Sequence, residues 1–411
     1  MQSRTVVSPH YMKQFSCLGS ACEDTCCSGW QITIDKKTYK KYEEAYVQGE
    51  DHTIFQHIKK LTSKRCQENY AEIMLNKDSY CPLLNQDRLC SIHAQKGEEH
   101  LSNLCVTYPR VSNVVNGAYE RSATVSCPEA ARLVLLNPEG IRFEKLDESE
   151  DERHLVMTTM STTEETVLKQ QLHFLELRAF TIKLLQNRSF SLNQRILFLG
   201  MFLSHLKERL ETEDPKNIPL FISSFERDIQ DGSIVHRLPQ FPRSSGKRLQ
   251  ILRKLIDMRL FAGVKDQRYL QCLLEALDGI RFTGESLTEE TLELYCQFNQ
   301  SLFAPFMLQH GYILENFLVN YVFKNLFPSK RDMFEEYVLL VLHFSLIKLH
   351  LIGMMGYHKT SFSIDHVVKV IQSYSRTVEH AADELRRFLT YFNEKEYSNL
   401  ETMSNLVMDE G

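Results

Sequence analysis

A mainly α protein in two parts, an N-terminal cysteine-rich, loop-rich metal-binding domain packed on a larger helical domain, is what three observations predict. Nine of the eleven cysteines lie at or before Cys127, leaving only Cys272 and Cys296 in the remaining 284 residues. Beyond the acidic stretch "EKLDESEDERH", apolar residues recur at intervals of three and four, the period of helices with one buried face. Long alternating strands and repeats of fixed period are not evident, which argues against a β-rich fold or a solenoid. The character changes after Asn137, so the cysteine domain is placed at 1–137 and the helical domain at 138–411.

In chain order, the loop holding Cys17 to Cys27 leads into "WQITID", read as a strand or extended turn, and then into an amphipathic helix from about Lys36 to Val47. A second helix is expected over about Thr53 to Leu61. In "CPLLNQDRLC" the central "NQD" makes a tight hairpin turn. "HLSNLCVTYPR" should be a short helix halted before Pro109, and "CPEAARLVLL" a helix with proline in its first turn and Cys127 at its cap. The acidic stretch is expected as a solvated connector. Long helices follow, among them "LNQRILFLGMFLSHLKERLE" and "DMFEEYVLLVLHFSLIKLHLI".

Composition narrows the function. With 411 residues, 43% hydrophobic and 25% charged, the chain is long enough for two cores. A net charge of −5 provides no basic stripe for nucleic acid, so none is expected as a partner. "MQSRTVVSPHYMKQFS" lacks the apolar core of a secretory signal, and a cytoplasmic location is expected. The most apolar segment, Tyr337 to Met355, contains His343, Lys348 and His350, each costly at a bilayer centre. It is read as a buried core helix, covered in part by the cysteine domain, and no membrane partner is expected.

Four cysteines fall within the eleven residues Cys17 to Cys27. In a reducing compartment such a set holds metal more often than it forms disulfides. Zinc sites usually present paired C-x2-C or C-x4-C knuckles, whereas here the order is C-x4-C-x3-C-C followed by scattered single cysteines. Adjacent Cys26 and Cys27 point in different directions in most backbones. The set allows one iron–sulfur cubane with spare thiols, or two four-ligand sites. Trp30, Leu83, Leu84 and Leu104 supply either an apolar shell for a cluster or simply a small-domain core. The radical signature C-x3-C-x2-C fails because Gly29 stands where its third cysteine would be. No glycine-rich nucleotide loop is present.

The blocks "YMKQFSCLGSACEDTCCSGWQITID", "CPLLNQDRLCSIH", "LSNLCVTYPR", "SCPEAARL" and "YILENFLVNYVFKNLFP" resemble the flagellin lysine-N-methylase family of bacteria. The cysteine-rich half is similar to the wider group of zinc- or iron-chelating domains. The resemblance implies an enzyme, an S-adenosylmethionine-dependent methyltransferase that methylates lysine side chains of flagellin with the aid of a [4Fe-4S] cluster. It also implies Cys17, Cys22, Cys26, Cys27, Cys81, Cys90, Cys105 and Cys127 as the metal set, with zinc as the alternative metal. Cys66 lies outside the motif blocks and reads as a free thiol. Cys272 and Cys296 read as core.

Candidate cofactor-binding residues accompany these blocks. Arg110 offers a planar fork for the carboxylate of S-adenosylmethionine, and Tyr108 a ring with a hydroxyl; the alternative reading is that both brace the cysteine loops. His93 is a ligand, a donor to sulfur, or merely solvated. Glu315 and Asn316 sit on a strongly apolar helix and need partners, whether substrate, cofactor or a neighbouring helix. With Trp30, these residues are the expected walls of a cleft at the domain junction. Catalytic residues are not identifiable. The competing function is a non-catalytic, metal-stapled protein-binding module, zinc or iron serving only to hold a small fold together.

Overall fold

Two compact units divide the chain, one formed by Met1–Ala130 with Phe143–Thr159, the other by Ala131–Arg142 with Met160–Gly411. The computed structural model describes residues 3–49, 52–63, 66–149, 153–163, 168–282, 284 and 286–410. The chain is mainly helical, with its strands concentrated in the first unit.

The first unit carries β1 (Ser3–Pro9), β2 (Thr33–Ile34), α1 (Lys36–Val47), β3 (Ile58–Lys60), β4 (Ala71–Ile73), α2 (Ser91–Lys96), α3 (Asn103–Thr107), β5 (Arg110–Val115), β6 (Ala118–Ala123), β7 (Phe143–Ser149) and β8 (Val156–Met160). The helix α4 (Pro128–Leu135) follows Cys127. Five strands form a sheet in the order β7-β1-β6-β5-β8, and three short ones form a second, β2-β4-β3. α1 has the bounds that its amphipathic pattern predicts, and the Asp35 carboxylate caps it by accepting from the Thr38 amide at 2.8 Å. Likewise Ser102 caps α3 by accepting from the Cys105 amide, and the helix stops before Pro109.

The five-stranded sheet departs from the sequence expectation. β1 pairs antiparallel with β7 from Ser3↔Ser149 to Pro9↔Phe143 and parallel with β6, so its partners lie more than a hundred residues away along the chain. Burial along β5 and β6 does not alternate cleanly, which hides the period of two. The local signal that was present is Asn116-Gly117, both at positive φ, the two-residue turn that a right-twisted hairpin favours. The acidic stretch expected as a connector begins as β7, because its charges find partners. Lys13 pairs with Glu144 at 2.7 Å, Thr5 donates to Asp147 at 2.9 Å, and Arg121 pairs with Glu148. Residues 150–152 of that stretch lie outside the described residues. The helix expected at Thr53 to Leu61 is a 3-10 turn, Phe55–His57, followed by β3, whose ladder with β4 overrides local preference.

The second unit is helical: α5 (Phe174–Leu185), α6 (Leu192–Thr212), α7 (Ile218–Gln230), α8 (Ser245–Phe261), α9 (Gln267–Gly279), α10 (Glu289–Phe298), α11 (Ala304–His310), α12 (Tyr312–Lys324), α13 (Met333–His358), α14 (Ile364–Tyr374), α15 (Ala382–Glu394) and α16 (Leu400–Val407). Single π-helical stretches interrupt it at Asn299–Phe303 and Ser375–Glu379. α13 is the central element. It is long and apolar enough to cross a membrane, yet its most apolar window is wholly buried inside the protein. Within its own unit α6, α8, α9, α10, α12, α14, α15 and α16 pack against it.

The tightest crossing is between α9 and α13, where glycine faces backbone. A Cβ added at Gly353 would lie 2.1 Å from the Ala276 carbonyl oxygen, and one at Gly279 would lie 1.9 Å from the Gly353 carbonyl oxygen. Backbone cannot yield as a flexible side chain does. Gly353→Ala should therefore force α9 and α13 apart and destabilise the protein by about 1–3 kcal/mol, the usual cost of overpacking. Urea denaturation followed by far-ultraviolet circular dichroism checks this; an unchanged midpoint would show that the crossing adapts.

Candidate functional site

Four thiols of the first unit, those of Cys27, Cys81, Cys90 and Cys105, gather at one small core. Ile32, Ile34, Tyr39, Tyr42, Ile54, Ala71, Ile73, Leu83 and Ile92 bury each other there together with Cys81, and Cys27, Cys90, Cys105, Trp30 and Leu84 pack against them. The loops that bring the cysteines in are held by backbone bonds. The Cys81 amide donates to the Cys27 carbonyl at 2.8 Å, and Leu84 and Cys90 form an isolated β-bridge across the predicted tight turn. Asn85 stabilises that turn by accepting from the Leu89 amide at 2.9 Å, with Arg88 at positive φ.

Burial pushes the Cys105 thiol up to about 12 and the Cys81 thiol up to about 11, with the neighbouring Cys90 and Cys26 thiols adding to both. Cys127, at the start of α4, is pushed up to about 12 by burial, although the Ala130 and Glu129 amides oppose this; Cys22 and Cys26 stand near it. Cys17 in turn neighbours Cys22. Two neighbourhoods emerge, Cys81/Cys90/Cys105 and Cys17/Cys22/Cys127, and Cys26 belongs to both. Cys26 Sγ lies 4.0 Å from Cys27 Sγ. Among the described residues, no three cysteine, histidine, aspartate or glutamate side chains converge as they would around a single metal ion. Cys66 is exposed, and Cys272 is buried on α9 in the second unit.

The aromatic and basic candidates of the first unit brace the same loops. Trp30 donates from Nε1 to the Cys26 carbonyl at 2.6 Å and packs on Tyr108, ring centroids 5.6 Å apart. The Tyr108 hydroxyl lies 3.1 Å from Ser126 Oγ, next to Cys127. Arg110 donates to the Val106 carbonyl at 3.4 Å, and its guanidinium lies 5.2 Å from the Phe15 ring centroid. His93 is exposed on α2.

Glu315 and Asn316 belong to the second unit, at the start of α12. Both Glu315 carboxylate oxygens are taken up: Arg195 Nη1 donates to Oε2 at 2.7 Å, and Arg188 donates from Nη2 to Oε1 at 2.8 Å and from Nε to Oε2 at 3.0 Å. Arg188 also donates to the Pro138 carbonyl, while Asn316 Nδ2 donates to the Asn137 carbonyl at 2.8 Å and the Leu135 carbonyl at 3.3 Å. Together they fasten α12 to α6 and to the turn after α4. Sequence reasoning did not find Arg188 and Arg195; the available signal was Arg195 inside the apolar run "NQRILFLG".

A thiol-bearing, partly β first unit and a helical unit with charged groups buried in it make this a two-part chain rather than a uniform helical scaffold. Residues 178–406 match the family model described as the FliB lysine N-methylase C-terminal domain, and the chain belongs to that family. It is 25% identical over 402 residues to a lysine-N-methylase of Salmonella typhimurium, spanning 94% of this chain and 95% of the relative. A lysine-N-methylase of Salmonella choleraesuis is 24% identical over 403 residues, with the same coverage of each chain. The flagellar biosynthetic protein FliU of Salmonella muenchen is 35% identical over 144 residues, 34% of this chain and 83% of that protein. No solved structure matches the chain.

The Glu315 joint carries a prediction. Glu315 is 2% and Arg195 6% exposed, so removing the carboxylate leaves a buried cation without its partner. Glu315→Gln should destabilise the second unit by about 3–5 kcal/mol, the cost of breaking a buried pair from one side. Thermal unfolding of the full chain measures it, and a shift no larger than that of a surface substitution would remove the joint from the account.

Proposed function

We propose that this protein is a lysine N-methyltransferase of the cytoplasm that moves methyl groups from S-adenosylmethionine to lysine side chains of flagellin, using a [4Fe-4S] cluster held by thiols of its first unit. The observation that carries the reading is the family match over 178–406, supported by lysine-N-methylase relatives aligned along 94% of the chain. The name of the FliU relative supports a flagellar partner.

The donor set suits a cluster better than a single ion. A tetrahedral zinc draws its thiolates closely around one ion, and among the described residues no three cysteine, histidine, aspartate or glutamate side chains are grouped in that way. A cubane instead spreads its ligands over separate irons and needs an apolar surround. Cys81, Cys90 and Cys105 lie at a small apolar core with Tyr42, Leu83 and Trp30, and Cys26 neighbours them, which supports that reading. Bound there, such a cluster supplies a redox centre or a Lewis-acidic iron. The chain's own residues orient the thiols: Trp30 holds the Cys26 carbonyl, and Ser102 holds the Cys105 amide.

In the transfer the sulfonium–methyl bond breaks, a nitrogen–methyl bond forms, and the amine gives up a proton. Lysine must therefore be presented neutral, which an apolar, desolvating setting favours.

Methyl transfer from labelled S-adenosylmethionine to flagellin tests the activity, with iron, sulfide and zinc measured on anaerobically purified protein. Iron and sulfide with methylated flagellin are expected. Stoichiometric zinc without transfer would replace this reading with the metal-stapled module. Cys26→Ser and Cys90→Ser should lose most of the iron and destabilise the first unit, because ligand binding energy in such domains is folding energy. Cys66→Ser should retain the iron, and full occupancy in both motif variants would refute the ligand assignment.

A further inference from the structure

An open groove of about 430 Å³ lies in the second unit between α6 and α7, a volume in the range of ligand-binding sites. The packing beside it fixes its place. Phe202 on α6 stacks on Phe221 with ring centroids 5.0 Å apart and meets Phe225 edge-on at 5.3 Å, which holds α7 against α6. After α7, Gly232 at φ 78° turns the chain into the 3-10 stretch Ser233–Arg237, which adds Ile234 and Arg237 to the lining. Met201, Phe225 and Ile234 are its buried apolar residues, and the other lining groups are mostly charged.

Four of those charges cancel in pairs. Arg209 donates to both carboxylate oxygens of Glu213, at 2.8 and 3.0 Å, and Arg237 donates to both of Asp228, at 2.5 and 3.2 Å. Glu208 is different: it is exposed in the same groove, and among the described residues its carboxylate has neither a hydrogen bond nor an ion pair. With His205 counted as neutral, the groove therefore carries one negative charge in excess. A net cation is the complementary occupant. Among the described residues no three histidine, cysteine, aspartate or glutamate side chains are grouped to hold a metal ion, so the cation that fits is an organic one.

The lining also continues beyond the groove. Arg209, Glu213 and Phe221 border a second, shallow depression whose Leu206, Leu210 and Ile218 are apolar. A charged recess that runs on into an apolar one suits an extended peptide, with a basic side chain in the first and an apolar one in the second, better than a small free cation. Both recesses lie wholly within the residues that match the lysine N-methylase domain.

We propose that this groove docks an exposed segment of the protein substrate, with a basic side chain of that segment paired to Glu208. The proposal rests on the function proposed above and extends it by separating where the substrate is held from where it is methylated. A carboxylate favours the charged form of an amine, and a protonated amine has no lone pair to accept a methyl group. Glu208 is therefore suited to holding a lysine or arginine near the target rather than to presenting the target itself.

Calorimetric titration of the full-length, metallated protein with flagellin, and separately with S-adenosylmethionine, tests this. Glu208→Gln should weaken flagellin binding about threefold and Glu208→Lys about tenfold, the scale of losing one exposed ion pair and of replacing it by a repulsion. Glu293→Lys, the same charge reversal at an exposed position of α10 outside the groove, should not change it. S-adenosylmethionine affinity should be the same in all variants, and in transfer assays Glu208→Lys should raise KM for flagellin without lowering kcat. No flagellin binding by the wild-type protein, binding that ignores Glu208, or an equal loss with Glu293→Lys overturns the docking groove; methyl transfer that persists in these cases leaves the methyltransferase reading intact. A fall in kcat at unchanged KM, or a weakened S-adenosylmethionine affinity in Glu208→Lys, also overturns it, because the groove then serves the transfer step or the methyl donor. Flagellin binding that follows Glu208 in a protein without methyl transfer upholds the groove and removes the methyltransferase reading.

Discussion

Everything in the helical unit is arranged around the need to bury α13 on all sides. A helix apolar around its whole circumference has no solvent face, so it must be enclosed. Eight other helices do this, and where α9 comes closest, glycines meet backbone: Gly353 against Ala276 and Gly279 against Gly353. The reward is hydrophobic burial along 26 residues. The consequence is that polar groups on α13 or facing it have only the protein interior in which to pair.

That consequence shapes the charges. Lys348 meets Asp409, Arg195 meets Glu315, Lys324 meets Glu379 and Arg259 meets Glu384, each pair joining stretches distant in sequence. His343 Nδ1 lies 2.9 Å from the Tyr374 hydroxyl, and burial lowers this histidine to about 4, keeping it neutral in the core. Such pairs add little net stability over apolar packing, but each is expensive to break from one side, so they select one arrangement of helices.

The first unit solves a different problem. Its thiol-bearing core is small, and short strands and 3-10 turns leave much of the backbone reliant on loop hydrogen bonds such as Cys81 to Cys27. The proposed cluster would tie these loops together where apolar burial is limited. Trp30, Tyr108 and Ser126 form a continuous brace from the Cys26 loop to the residue before Cys127, so replacing one loop residue reaches cysteines far from it in sequence.

Local chemistry was legible in the amino-acid sequence by itself. The period of three and four marked the long helices, "LLNQDRL" announced its turn, and the histidines and lysine within Tyr337 to Met355 argued for a core helix rather than a membrane span. The motif blocks were enough to indicate the family. What only the tertiary structure decided depends on partners far apart along the chain. β1 becomes a strand because β6 and β7 flank it, and the acidic run at Glu144 to Glu148 becomes β7 because Lys13 and Arg121 neutralise it. Glu315 and Asn316 were visible as polar residues needing partners, but Arg188, Arg195 and the turn at Asn137 could not be read beside them. Asp409 and Lys348 are separated by 61 residues, and no local pattern records that they pair. Propensity and capping act over a few residues, whereas charge pairing and strand ladders are set by which surfaces the fold brings into contact.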